Sequence, residues 1–209
     1  MKTDLRFRAC QVSGKIFAVQ RIGLFGGSFD PVHLGHLLIA QAACEELQLD
    51  RLFFIPAAQS PFKPDRVLAP GRVRLRLLRL ALAGNTRCAI DDQELRRGGV
   101  SYTIDTVRNY RLRYPDAQLF YLIGADHVGT LPQWRQADEL AELAEFVVVR
   151  RPGVDVVALP GQFRIRILEG FPVGFSSSQV RERVRAGLPV EHLVPVAVAE
   201  AIRNNRLYV

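Results

Sequence analysis

Ile22-Gly23-Leu24-Phe25-Gly26-Gly27-Ser28-Phe29-Asp30-Pro31-Val32-His33-Leu34-Gly35-His36 is the stretch from which the rest of the chain is read. Its opening residues, 22–25, are apolar and bounded by glycine, as in a buried strand. Leu37-Leu38-Ile39-Ala40 and Leu47 carry on as a helical stripe. A strand thus gives way to a helix across a turn that holds glycines and two histidines. Backbone N–H groups at the start of such a helix have no partner within it, and the helix field favours negative charge there. Glycines allow a tight bend and close approach of a polyphosphate. His33 and His36 lie three apart, so both can face one ligand. The segment reads as a phosphate site.

Outward from it, short apolar segments rich in β-formers alternate with helical stretches. Strands are predicted at 22–25, 52–55, 88–90, 119–123 and 146–149, with a last one at 165–168. Helices are predicted over 34–49, 72–83, 103–113 and 137–144, and two more at 177–186 and 194–204, separated by Gly187 and Pro189. This alternation is that of an α/β, Rossmann-like, doubly wound and mostly parallel sheet with a small C-terminal helical portion over about 175–209. Ligands of such a fold lie beyond the carboxyl ends of the strands. Residues 21–209 read as one domain and 1–20 as an N-terminal extension. The proline-rich loop 57–70 follows the second strand on the ligand side and reads as a flap over the site, with an inert connector as the alternative.

The composition narrows the functional classes. With 209 residues, 48% hydrophobic and 23% charged, the chain has the make-up of a soluble globular protein with one sizeable core. Its three cysteines, Cys10, Cys44 and Cys88, stand singly, so neither a disulfide framework nor a structural zinc site is indicated, and a cytoplasmic location is expected. Charges interrupt every apolar run of the first twenty residues, so no secretory leader or membrane span is expected. A net charge of +7 admits nucleic acid or small anions as partners. Much of the excess lies in Arg72, Arg74, Arg76 and Arg79, which alternate with apolar residues as the solvated face of an amphipathic helix. No aromatic residues interleave that run as a single-strand stacking surface requires, so nucleic acid is not the expected partner.

The opening string is similar to the GxFDPxHxGH signature of the nucleotidyltransferase superfamily. Further segments resemble one branch of it, the bacterial nicotinate-nucleotide adenylyltransferases. Phe175-Ser176-Ser177-Ser178-Gln179-Val180-Arg181 is similar to the adenylyltransferase pattern [I/F]SxTxxR, with serine in place of the commoner threonine. Ser101-Tyr102-Thr103 and Leu131-Pro132-Gln133-Trp134 resemble the elements that hold the pyridine nucleotide. Ile123-Gly124-Ala125-Asp126 and Arg150-Arg151-Pro152-Gly153 resemble those around acceptor and adenosine. Taken singly, each has an ordinary structural alternative: a serine helix cap, a core tryptophan, an aspartate N-cap. One departure is visible, since Ser60-Pro61-Phe62-Lys63 keeps the lysine of the family's PPHK run and replaces its histidine with phenylalanine.

The resemblance implies transfer of the adenylyl group of ATP to nicotinate mononucleotide, giving nicotinate adenine dinucleotide and pyrophosphate, a step of NAD biosynthesis. Alternative acceptors are nicotinamide mononucleotide and phosphopantetheine, and the rival from another class is a basic nucleic-acid-binding module. His33 and His36 take the catalytic role. ATP is expected on Gly26, Gly27, Ser28, Phe29, His33, His36, Gly124, Asp126, Arg151, Ser176, Ser178 and Arg181, and the acceptor on Lys63, Tyr102, Thr103, Asp126 and Trp134. No carboxylate cluster of metal-site spacing occurs, so Mg²⁺ is expected to arrive carried with ATP. Backbone donors at Tyr102 and Thr103, at a helix start, suit the nicotinate carboxylate better than an amide.

Overall fold

The computed structural model describes residues 10–12, 15–17, 19–62, 67–150, 153, 160–171 and 174–209. Near the N-terminus β1 (Cys10–Val12) and β2 (Lys15–Phe17) pair antiparallel in a two-stranded sheet of their own. The main sheet holds β3 (Arg21–Gly27), β4 (Arg51–Pro56), β5 (Cys88–Ile90), β6 (Gln118–Gly124), β7 (Glu145–Val149) and β8 (Ile165–Leu168). Its order is β5-β4-β3-β6-β7-β8 and every pairing is parallel. The chain builds outward from β3 in one direction and then returns to add β6 on the other side. The carboxyl ends of β3 and β6 therefore flank the crevice where such sheets bind ligands.

Period-two alternation divides the strand residues between two cores. Phe25, Leu52, Phe54, Phe120, Leu122, Val147 and Leu168 face one side, against α1 (Leu34–Glu46), α2 (Gly71–Ala81), α6 (Ser177–Arg185) and α7 (Val196–Asn204). Ile22, Leu24, Phe53, Ile55, Leu119, Tyr121, Ile123, Phe146 and Val148 face the other, against α4 (Thr103–Arg113) and α5 (Ala137–Leu143). With both faces covered, the central strands are apolar at consecutive positions, which is why they are readable as short unbroken runs.

Several boundaries differ from the sequence reading for local reasons. The helix expected over 34–49 ends at Glu46, because Leu47 caps it and Gln48 turns into the left-handed region at φ 50°. The helix expected from 194 begins at Val196, with Pro195 fixing the entry. Four elements lie outside the sequence reading: the paired β1 and β2, the short α3 (Gln93–Arg97), and a run of 3₁₀ turns over Ala125–Gln133 that contains Pro132. Arg74 corrects the reading of the arginine run as a solvated face. It lies on the inner face of α2 with Leu77 and Leu78, is 2% exposed, and donates from Nε to Ala69 O (2.9 Å) and from Nη1 to Ser28 O (2.7 Å). The loop after β4 is pinned at its start, and residues 63–66 of the expected flap lie outside the described residues. Ala57 N–H donates to Gly27 O, and Gln59 forms a parallel bridge with Val100.

Candidate active site

The glycines of the opening motif extend β3 instead of forming the turn: Gly26 pairs with Ile55 and Gly27 with Pro56. Neither has a positive φ, so close packing, not backbone freedom, explains them. A Cβ on Gly26 would stand 2.5 Å from the hydroxyl of Tyr121, and one on Gly27 would stand 3.1–3.3 Å from the ring of Phe29. The turn itself is made by Phe29 at φ 45°. Its ring is 1% exposed and packs on Phe25, Phe54 and His36. The Phe29 side chain therefore belongs to the core, which leaves only its backbone for contact with a ligand.

Side chains from distant parts of the chain hold the turn from behind. Arg74 takes Ser28 O, Arg181 Nη1 takes Asp30 O (2.7 Å), and Ser177 Oγ takes Pro31 O (2.9 Å). The Asp30 carboxylate, 1% exposed, accepts from the hydroxyl of Tyr208 (2.9 Å) and from Ala69 N–H (3.4 Å). Burial, followed by the Asp30 charge and this bond, raises the Tyr208 phenol, so it stays a donor. Each carbonyl held in this way is fixed without help from the ligand, and the following N–H groups inherit that orientation.

His33 opens α1 and is 6% exposed; His36 sits one turn on. Their rings stack with centroids 3.7 Å apart. His36 Nδ1 accepts from His33 N–H at 3.2 Å. That bond assigns the neutral His36 tautomer with its hydrogen on Nε2, so this nitrogen is the one able to donate to an anion. At α6, Ser176 caps the helix in a reciprocal pair with Gln179, and Ser178 Oγ accepts from Arg181 Nη2 (3.1 Å). The segment 176–181 is thus both a capped helix start and a support of the turn at 28–31. Ser177, absent from the expected site residues, makes one of the two direct links, and Arg181 makes the other.

On the other side of the β3–β6 crevice lies an aromatic cavity of about 90 Å³, lined by Pro61, Phe62, Tyr102, Thr103, Gln133, Trp134, Arg135 and Leu140. Tyr102 precedes the first turn of α4, and Thr103 Oγ1 donates to the Tyr121 hydroxyl at 3.3 Å. Trp134 ends the 3₁₀ run; its Nε1 donates to Thr130 Oγ1, and its ring packs edge-on to Tyr121 and Phe146. Phe62, at the position of the departure noted above, lies 5.5 Å from Trp134 and 5.4 Å from His127 between centroids. It serves as an aromatic wall where histidine would be polar. The Arg135 guanidinium covers Tyr102 at 4.8 Å. Neither Phe62 nor Arg135 was singled out in the sequence as a site residue, although Arg135 adjoins the only tryptophan. Gly124 closes β6 and Asp126 follows in the first 3₁₀ turn, with Oδ2 3.7 Å from His127 Nε2. Lys63 and Arg151 lie outside the described residues.

A parallel sheet with an anion-ready helix start on one side of its switch point and an aromatic cavity on the other is the layout of a nucleotidyltransferase. Residues 24–183 match the cytidylyltransferase-like family, and the chain is an enzyme of that class. It is 42% identical over 191 residues to a protein of Opitutus terrae, spanning 90% of this chain and 97% of that protein, and 44% identical over 190 residues to one of Shouchella clausii, spanning 91% and 97%. Both bear the name "Probable nicotinate-nucleotide adenylyltransferase". The fold is similar to that of the Plasmodium falciparum nicotinic acid mononucleotide adenylyltransferase solved with NaAD, with a TM-score of 0.74 at 14% identity over 90% of this chain and 97% of that one. The chain belongs to the nicotinate-nucleotide adenylyltransferase family. Among the described residues no helix is long and apolar enough to cross a membrane.

Proposed function

We propose that the crevice between β3 and β6 joins ATP to nicotinate mononucleotide, with the triphosphate over the start of α1 and the pyridine ring in the cavity beside Trp134. The observation that carries this reading is the pairing of the stacked His33–His36 start of α1 with an aromatic cavity edged by Tyr102 and Thr103. The acceptor phosphate is largely dianionic near neutrality, since the second pKa of a phosphomonoester is about 6, so it attacks the α-phosphorus without a strong base. The bond to pyrophosphate breaks as the new phosphoanhydride bond forms, and no covalent enzyme intermediate is required.

The work left to the protein is to align two anions and to meet the charge that develops between them. His36 Nε2–H and the N–H groups at the start of α1 are oriented donors for that charge. Arg181 and Ser178 stand beside them, and Gly124 and Asp126 edge the nucleotide at the end of β6. Among the described residues no cluster of three or more His, Cys, Asp or Glu side chains could hold a metal, and the Asp30 carboxylate is taken by Tyr208 and Ala69. That donor set fits Mg²⁺ carried on the phosphates of ATP, where it supplies charge neutralisation. A cytoplasmic site of action goes with this reading. Residues 21–209 act as one domain.

An aromatic cavity suits a pyridine ring and gives phosphopantetheine, an aliphatic chain, nothing to stack on. Pyrophosphate release with ATP and each of nicotinate mononucleotide, nicotinamide mononucleotide and phosphopantetheine tests the reading. Turnover confined to the pyridine nucleotides, with the acid preferred, is the expected result; turnover of phosphopantetheine alone would overturn it.

A further inference from the structure

One buried carboxyl has no part in the chemistry above. Glu94, on α3, is 4% exposed, and burial pushes its pKa up. Leaving a carboxyl inside a protein is costly unless its oxygens are satisfied, and here they are satisfied by hydroxyls. Thr106 Oγ1 donates to Glu94 Oε1 at 2.6 Å, and Ser101 also hydrogen-bonds to the carboxyl. Ser101 Oγ accepts from Ala58 N–H at 2.9 Å, so its own hydrogen is the one that goes to Glu94. The order is a relay: Ala58 N–H to Ser101, Ser101 to Glu94, with Thr106 meeting Glu94 from the body of α4.

The relay joins the segments that wall the aromatic cavity. Ala58 leads to Pro61 and Phe62, and Ser101 leads to Tyr102 and Thr103. A second tie runs alongside, from Ser101 N–H to Gln59 O at 2.9 Å. Thr106, one turn beyond Thr103, fixes α4 to the same carboxyl, and Thr103 in turn holds the Tyr121 hydroxyl that packs on Gly26. We propose that Glu94 is a positioning residue for the acceptor: through Ser101 and Thr106 it sets the gap between the Phe62 wall and the N–H groups of Tyr102 and Thr103. The proposal rests on reading that cavity as the acceptor site.

Wild-type turnover with nicotinate mononucleotide is measured first, then KM for each substrate and kcat for Glu94→Gln. The amide keeps the size but leaves one acceptor oxygen for the two donating hydroxyls of Ser101 and Thr106, so that one of them must turn to accept from the amide N–H and the relay is rearranged. The expected result is a KM for nicotinate mononucleotide raised about tenfold, with the KM for ATP unchanged within about twofold. Thr106→Val should reproduce that split, whereas Thr106→Ser, which retains the hydroxyl, should restore the wild-type values. Should Glu94→Gln fail to fold, Ser101→Ala and Thr106→Val carry the same comparison. A wild-type enzyme that does not use nicotinate mononucleotide would overturn the assignment of the cavity. An active wild type whose variants leave the acceptor KM unchanged, or raise both KM values alike, would overturn the role of Glu94.

Discussion

Gly26 separates two accounts of why the motif needs glycine, and Gly26→Ala is the perturbation that tells them apart. A Cβ there would lie 2.5 Å from the Tyr121 hydroxyl, about 0.9 Å inside ordinary contact, while the next atom, Cζ of the same ring, would lie at 3.4 Å. The ring has little room to retreat, because Trp134 and Phe146 pack on it and Thr103 holds its hydroxyl. Overpacking of this kind costs about 1–3 kcal/mol and the lost Thr103 bond about 1 more. Alanine recovers about 0.5–1 kcal/mol of chain entropy in a strand. The net expectation is a loss of about 1–3 kcal/mol in urea unfolding. In a Tyr121→Phe background the offending oxygen is gone and the nearest atom sits at ordinary contact, so the same substitution should be neutral or stabilising by up to about 1 kcal/mol. The coupling between the two sites should therefore be at least about 1 kcal/mol. Equal losses in both backgrounds would refute the packing account. Unchanged unfolding with a raised KM for ATP would show instead that the glycine serves ligand approach.

Arg74→Leu should cost about 2–4 kcal/mol in urea unfolding, since it leaves the carbonyls of Ser28 and Ala69 without their buried donor, and it should raise the KM for ATP by loosening the turn at Ser28. His36→Ala should lower kcat at least about 100-fold with a small change in stability, the loss expected for one oriented donor to developing charge; near-normal turnover of a folded variant would remove it from the mechanism. For Asp91, 7% exposed, burial alone would raise the carboxyl's pKa, yet hydrogen bonds from Tyr110, Gln93 and Arg113 outweigh it and the pKa lies below its ordinary value. Its stabilising contribution is therefore present above the unfolded pKa of about 3.9 and is lost as pH falls through the lower folded value. Asp91→Asn should lose about 2–4 kcal/mol at pH 7 and show a shallower decline of unfolding free energy below about pH 4.

The parallel sheet was legible because strands covered on both faces are written as short apolar runs, and the bounds of β5, β8 and α4 agree with that reading to the residue. The motif was legible as a strand-to-helix junction, with α1 starting at Leu34 directly after His33. What escaped depends on contacts between parts of the chain distant in sequence. Gly26 and Gly27 look like turn residues until Tyr121 and Phe29 are seen to occupy the space beside them. Arg74 shares helical spacing with Leu77 and Leu78, a signal of burial that the regular alternation of its neighbouring arginines concealed. Glu94 sits in a five-residue helix too short for a periodic signal, and its partners Ser101 and Thr106 reach it only through the fold. Phe62 marks the reverse case, a visible departure in sequence whose consequence, an aromatic wall against Trp134, needed the structure.

The central claim is adenylyl transfer to a pyridine nucleotide held by donors suited to a carboxylate. The most direct measurement is kcat/KM for nicotinate mononucleotide against nicotinamide mononucleotide, with ATP saturating and the dinucleotide product identified by mass. With the ring placed as proposed, N–H groups at the start of α4, together with Arg135 over Tyr102, would present donors and positive charge where the two acceptors differ. Each donor left facing the donors of an amide costs about 1–3 kcal/mol, so two such contacts give a preference for the acid of at least about 100-fold. That ratio, with nicotinate adenine dinucleotide and pyrophosphate formed in equal amounts, is the predicted result; comparable efficiency with the two acceptors, or no dinucleotide from either, would contradict it.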